Sequence, residues 1–312
     1  RILWRMGRDQ EVDETRGGVS WIVALIVVAT IVVVVLAVIA VRTVSRSDAP
    51  PPTPSQPASS TGYSSVADMQ SHDPFYVAHR GGSARWPEMS MVAYEKAVEL
   101  GVGALEVSVA RTKDGVYFGL HDKTLDRTSL VSGGIDPSTL TWAQLTSKYQ
   151  NKLNATDPAG VPYARIDEIF AKFASNHVIF VDPKYIGDAG QRQDLIDQML
   201  AAAPAEHWVL KGYYDNASLT TAARTAGIAT WGYYYGRDLA AFDSTAQNWD
   251  MLGLDLAATA EQWAMVKAKG KPVIAFFISD TITRNEATEK GANGMMVSDV
   301  PATFASPTPN VN

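Results

Sequence analysis

The chain contains no cysteine, which removes disulfides, thiolate metal sites and a cysteine nucleophile from consideration. It leaves the compartment open, because only disulfides would have marked an oxidising one. Positive charge is in short supply as well: 27 Lys and Arg against 33 Asp and Glu give a net charge of -6 over 312 residues. Non-specific nucleic-acid binding needs a basic face to neutralise phosphates, so no nucleic-acid partner is expected. A hydrophobic content of 46% with 19% charged residues is ordinary for a globular protein, and the length holds one large domain with accessories. The first residue is Arg1, as expected of a sequence that begins inside a longer chain.

What is present begins with a long apolar run. Residues 1–18 are polar, with Arg1, Arg5, Arg8 and Arg16, and Trp21 to Val41 then carries no charge and only Thr30 as a polar residue. A run of that length crosses a bilayer core, whereas a buried helix of a globular domain rarely lacks a polar face over such a stretch. The arginines before it favour an N-terminus in the cytoplasm, and Arg42 and Arg46 just beyond it oppose that bias. Ser47 to Ser65 is rich in Pro, Ser and Thr and reads as an extended spacer. The expected plan is a cytoplasmic segment at 1–18, a single transmembrane helix at 19–42, a linker at 43–74, a barrel domain at 75–305 and a tail at 306–312. The catalytic domain would then face outward from a single-pass membrane anchor. His72, in the linker, is expected to be solvated and silent.

From Phe75 onward, short β-like runs alternate with helical ones. Strands are expected at Phe75 to Ala78, Ala104 to Val109, Val178 to Asp182, Trp208 to Leu210, Ala229 to Tyr235, Met251 to Leu254, Val273 to Ile278 and Gly294 to Val297. Helical patterns separate most of them. A further strand, Val116 to Leu120, is tied to the second by the hairpin signal Asp114-Gly115. Asp126 to Pro162, rich in Gly, Ser, Thr and Pro, is read as an excursion over the mouth of the domain. Eight strands with crossovers, over about 230 residues, predict a closed parallel (β/α)8 barrel.

In such a barrel the C-terminal strand ends converge on one mouth. That brings together His79 and Arg80, Glu106, His121 and Asp122, Asp182 and Lys184, and Asp299. The set suits phosphodiester chemistry. Glu106 and Asp182 would hold a hard divalent cation, Mg²⁺ or Ca²⁺, through oxygen ligands. Arg80 and Lys184 would bind phosphate oxygens, and the imidazoles of His79 and His121 would remove and deliver protons. His177 and His207 begin strands and are assigned to structure. Of Trp231, Tyr233, Tyr234 and Tyr235, those on one face are expected in the core and the others at the mouth.

Several short motifs occur in a fixed order: His79-Arg80-Gly81, Pro87-Glu88, the Glu106 strand, Thr112-Lys113-Asp114-Gly115, His121-Asp122, Leu125-Asp126-Arg127-Thr128 and Ser298-Asp299-Val300-Pro301. This ordered set resembles the glycerophosphodiester phosphodiesterases, densely over Val77 to Thr128 and thinly beyond. The resemblance implies a TIM-type barrel that hydrolyses glycerophosphodiesters to an alcohol and glycerol 3-phosphate, with a histidine acid/base pair, matched by His79 and His121, and a divalent metal. Lysophospholipid-like substrates fall in the same range. The chain departs from the family's pattern where Glu-x-Asp becomes Glu106-Val107-Ser108, losing a charged ligand. It departs again where Glu-x-Lys becomes Asp182-Pro183-Lys184, as in the related sphingomyelinase D branch, and where Phe276-Phe277 replaces Trp-Thr. Two alternatives follow: a lyase that gives a cyclic phosphate, and a ligand-binding barrel whose metal site is impaired at Ser108. Glu88 can instead shape the first loop, and Asp299 can cap the last turn.

Overall fold

Strand-forming runs of Val, Ile, Phe and Met, buried on both faces, lack the apolar/polar alternation of a half-exposed sheet and so favour a parallel sheet covered by helices. In the computed structural model, which describes residues 62–154 and 159–305, nine strands form: β1 Phe75–Ala78, β2 Ala104–Arg111, β3 Tyr117–Gly119, β4 Val178–Asp182, β5 Trp208–Tyr213, β6 Ala229–Tyr234, β7 Met251–Asp255, β8 Val273–Ile278 and β9 Gly294–Val297. The order β1-β9-β8-β7-β6-β5-β4-β2 is parallel throughout, and the β1–β2 pairing closes it. The result is the expected eight-stranded (β/α)8 barrel. β3 stands outside it, antiparallel to β2 and joined through the turn at Gly115, whose φ of 92° needs a residue without a side chain.

Two cores follow from the period-two geometry of strands. One set of side chains, among them Phe75, Val77, Ala104, Val178, Phe180, Val209, Trp231 and Phe276, fills the barrel. The alternate set packs outward against the helices, with Leu105, Val107, Ile179, Leu210 and Leu252 meeting residues such as Ile169, Leu195 and Trp249. Continuing the inward set toward the strand ends leads to His79, Glu106, Ser108, Asp182, Lys211 and Tyr233, so the chemistry sits directly above the apolar filling.

The barrel domain begins earlier than Phe75. Residues assigned to the linker form the helix Val66–Ser71, capped by Ser65, and Met69 from it is fully buried in the barrel's inner core. Tyr63 and Val66 pack beside it. His72 closes this helix, exposed and against the Tyr63 ring. The excursion after Asp126 does not simply hang over the mouth. Its Leu145 and Trp142, with Leu125 and Tyr163 flanking the segment, pack onto Ala110 and Phe118 of the hairpin in a small core of their own. Among the described residues no helix is long and apolar enough to cross a membrane. The expected span, Trp21 to Val41, lies outside the described residues, as do the segments 1–18 and 306–312 and most of the linker.

Candidate active site

The site is built around a turn. After β1 the chain makes one tight turn at His79–Gly81, with Arg80 at φ 54° and Gly81 at φ 77°. A left-handed arginine costs of order 1 kcal/mol or more and persists only when its surroundings hold it. Here its N–H donates to Glu106 Oε2 at 2.9 Å, and its guanidinium reaches Glu88 Oε2 at 3.0 Å. A side chain at position 81 would bring its Cβ to 2.8 Å from the Ala93 Cβ, so only glycine fits there.

Glu106 is fully buried. Its Oε1 accepts from the Lys211 ammonium at 2.7 Å and from the Ser108 hydroxyl at 3.3 Å. Burial by itself would raise its pKa. The adjacent charges of Lys211, His79 and Arg80 outweigh burial and hold the carboxyl well below the usual carboxylate range. Lys211 also approaches Asp182 Oδ2 at 3.5 Å and lies against the faces of Trp231 and Tyr233.

The two histidines differ in their surroundings. His79 is buried against the exposed ring of Phe277, centroids 4.5 Å apart, and neither ring nitrogen has a hydrogen-bond partner within the protein. Burial pushes it well below the ordinary histidine value, with Glu106 opposing. His121 is held at both nitrogens: Nδ1 lies 2.8 Å from Asp122 Oδ1, and Nε2 lies 2.6 Å from Lys184 Nζ. An ammonium can only donate, so Nε2 accepts and Nδ1–H donates to Asp122, which fixes the neutral tautomer. Burial, with Arg80 and Lys184 nearby, lowers this ring's pKa too, and Asp122 counteracts in part.

An ionic chain that the sequence reading did not include joins the two histidine loops. Arg127 donates to Asp122 at 2.6 and 3.1 Å and to Glu88 at 2.7 and 3.0 Å, while Glu88 also takes Arg80. Asp122 is held down at about 2 by Arg127 and His121, although burial acts the other way. Asn151 of the excursion donates to the Glu88 backbone carbonyl at 2.7 Å, tying that segment to the site. Glu88 is therefore a loop-shaping residue. Asp299 is one as well: it pairs with Arg85 at 2.8 Å and caps the helix Val300–Phe304 through the Ala302 N–H.

The other side of the mouth is aromatic. A cavity of 350 Å³ lies between Asp182, Lys184, Gly212, Tyr213, Tyr233 and Arg237. The aromatic run on β6 splits as expected, with Tyr234 turned into the helical layer against Tyr214 and Phe242, and Tyr233 and Tyr235 directed to the mouth.

His79, Arg80, Glu106, His121, Asp182 and Lys184 therefore share one mouth, as the strand ends require. His177 and His207 precede β4 and β5 at the far end, where burial lowers the His177 pKa. The expectation that Glu106 and Asp182 hold a divalent cation meets a physical obstacle. Lys211 Nζ lies between them, already bonded to Glu106, and Ser108, paired with Asp182 in register, brings a hydroxyl where a further carboxylate would be needed. Among the described residues no three His, Asp or Glu side chains are gathered as ligands would be. The residues as arranged do not fit the metal.

The depressed histidines make a stability prediction. An imidazole whose folded pKa lies below its unfolded value of about 6.5 contributes stability that is complete above that pH and is lost as pH falls through the folded value. His79, His121 and His177 all shift this way, while the lowered carboxylates act only below about pH 4.5. Urea unfolding is expected to show a lower midpoint at about pH 5.5 than at about pH 7.5, with a smaller difference in His79→Phe. An equal difference in both proteins would show that the His79 ring takes up its proton freely when folded.

Fold and site together define a (β/α)8 barrel whose mouth combines two imidazoles with an arginine, two lysines and buried carboxylates, a centre suited to an oxyanion ligand. Within that class the model of the glycerophosphoryl diester phosphodiesterase family matches residues 79–222, a range that includes every site residue named above except those at the end of β8 and on β6 and beyond. A probable glycerophosphodiester phosphodiesterase 1 of Mycobacterium tuberculosis is 47% identical over 72 residues, 23% of this chain and 26% of the relative. A glycerophosphodiester phosphodiesterase of Caldanaerobacter subterraneus is 42% identical over 64 residues, 20% of this chain and 26% of the relative. The alignments thus span about a quarter of the length of these curated relatives.

Solved structures carry the likeness further along the barrel. A putative glycerophosphoryl diester phosphodiesterase from Silicibacter pomeroyi superposes with a TM-score of 0.64 at 16% identity, covering 78% of this chain and 96% of that one. An Oleispira antarctica phosphodiesterase, solved with the product sn-glycerol-3-phosphate, superposes at 0.60 with 18% identity, covering 74% and 95%.

Proposed function

We propose that the barrel is a phosphodiesterase that hydrolyses glycerophosphodiesters, including lysophospholipid-like ones, to an alcohol and glycerol 3-phosphate. The observation that carries this reading is the pair of imidazoles in one mouth with complementary settings. His121 is backed by Asp122 and presents Nε2 as an acceptor, and His79 has two nitrogens with no partner in the protein. A phosphoryl oxygen arriving at Lys184 would take over its ammonium and free Nε2. Water then forms the new bond to phosphorus as its proton passes to His121, and Asp122 stabilises the imidazolium. The bond from phosphorus to the alcohol oxygen breaks, its electron pair stays on that oxygen, and protonated His79 supplies the proton that completes the alcohol. The negative phosphodiester, added to Glu106, raises the proton affinity of His79 in the complex.

The apolar run Trp21 to Val41 supports a membrane anchor with this domain on the outer side of the cell membrane. The aromatic side of the mouth, with Tyr213, Tyr233 and Phe277, supports an organic group on the leaving alcohol. Phosphorus NMR of the protein incubated with a soluble glycerophosphodiester tests the reading. The expected product is glycerol 3-phosphate. A cyclic phosphate would replace water by the substrate's own hydroxyl as the attacking group, and an unchanged diester would overturn phosphodiesterase activity altogether.

A further inference from the structure

We propose that the Lys211 ammonium is a built-in cation that takes the position and the electrostatic task of a divalent metal, so that the site works without one. Lys211 is the only charged residue of β5, on the inward side of the strand directly above Val209, and it is 5% exposed. Its Nζ lies 2.7 Å from Glu106 Oε1 and 3.5 Å from Asp182 Oδ2, and so bridges carboxylates carried by the neighbouring strands β2 and β4.

Three observations argue that this is a substitution and not a lysine waiting to be displaced. First, a divalent ion held at roughly 2.0–2.6 Å by the same Glu106 oxygen would share it with an ammonium already at hydrogen-bond distance, and the two cations would repel across a dry site. Second, the side chain cannot readily swing away, because it is enclosed by Trp231 and Tyr233, each ring centroid within 5.6 Å of Nζ. Third, the ligand set has lost the charge a dication needs: Ser108 puts a hydroxyl where a carboxylate would stand, and that hydroxyl donates to Glu106 instead of binding metal. Two carboxylates balance one buried ammonium, with Lys184 3.8 Å from Asp182 as the second cation. Replacement of a carboxylate by serine and provision of a lysine are thus complementary changes.

Lys211 acts through position and charge: it holds Glu106, which in turn holds the Arg80 turn and the charge environment of His79. The inference rests on the reading of this mouth as a phosphodiester site, yet its test does not depend on turnover. Calorimetric titration of Mg²⁺ and of Ca²⁺ into the protein is expected to show no binding up to about 1 mM, a concentration at which weak calcium modules already bind. The double variant Lys211→Met, Ser108→Asp, which removes the ammonium and restores a carboxylate, is expected to gain at least about tenfold in affinity for one of the two ions.

Saturable binding to the unaltered protein that Glu106→Ala removes would overturn the proposal. So would a double variant that is folded by circular dichroism and takes up neither ion. Should that variant not fold, the titration of the unaltered protein decides alone. Turnover adds a separate arm: cleavage unaffected by EDTA supports the proposal, and cleavage abolished by EDTA and restored by Mg²⁺ or Ca²⁺ overturns it. Absence of cleavage under both conditions sinks the phosphodiesterase reading and leaves the binding result standing.

Discussion

His121→Ala is expected to lower turnover of a glycerophosphodiester by about 10²–10⁴-fold, and His79→Ala by a similar factor, since each removes one half of a proton-transfer pair. The two losses should differ in character. His121 is held by Asp122 and Lys184, and its removal leaves Lys184 free to bind phosphate, so KM should change little while kcat falls. The His79 ring makes no hydrogen bond within the protein and supports Phe277, so its removal also loosens the apolar rim and should raise KM. Steady-state kinetics on both variants, with circular dichroism to confirm the fold, is the check. Near-normal turnover by either variant would refute its assigned role.

The largest expected effect on stability belongs to Glu106. Glu106→Ala leaves the buried Lys211 ammonium with only Asp182, 3.5 Å away, as counter-charge. Removing one partner of a buried pair typically costs about 3–5 kcal/mol, because the remaining charge is uncompensated. The Arg80 N–H, held in a left-handed turn, also loses its acceptor. The double variant Glu106→Ala, Lys211→Met is expected to recover a large part of that loss, since no unpaired charge is left inside. Urea unfolding of the two single variants and the double variant measures the coupling. Additive losses would mean that the two side chains do not interact in solution as they do in the structure.

The sequence makes the barrel legible for a physical reason: buried parallel strands are continuous apolar runs, and β1, β4, β8 and β9 fall at the residues expected from that pattern alone. The site is legible where a polar residue ends such a run, as at His79 and Asp182, or interrupts one, as at Glu106. It is less so where the run continues past a charge. The apolar run of β5 stops at Leu210, whereas the strand extends to Tyr213 and carries Lys211 inward. Counting by twos from Val209 would have found it, in the same way that Ala104 leads to Glu106 and Val178 to Asp182. The link from Arg127 through Glu88 to Arg80 joins residues from separate loops, and no local spacing encodes it. The helix Val66–Ser71 was hidden because a proline-rich approach looks the same whether or not its last turn docks.

That helix has a practical meaning for anyone who trims the chain. Met69 acts as a stopper in the base of the cylinder. A fragment cut to start at the first strand would lose that side chain from the inner core and leave Phe75, Val77 and Val178 with a cavity beside them. The cost falls on stability, about 2–5 kcal/mol for emptying a buried methionine site, so a shortened chain that keeps every catalytic residue would still be a weaker barrel.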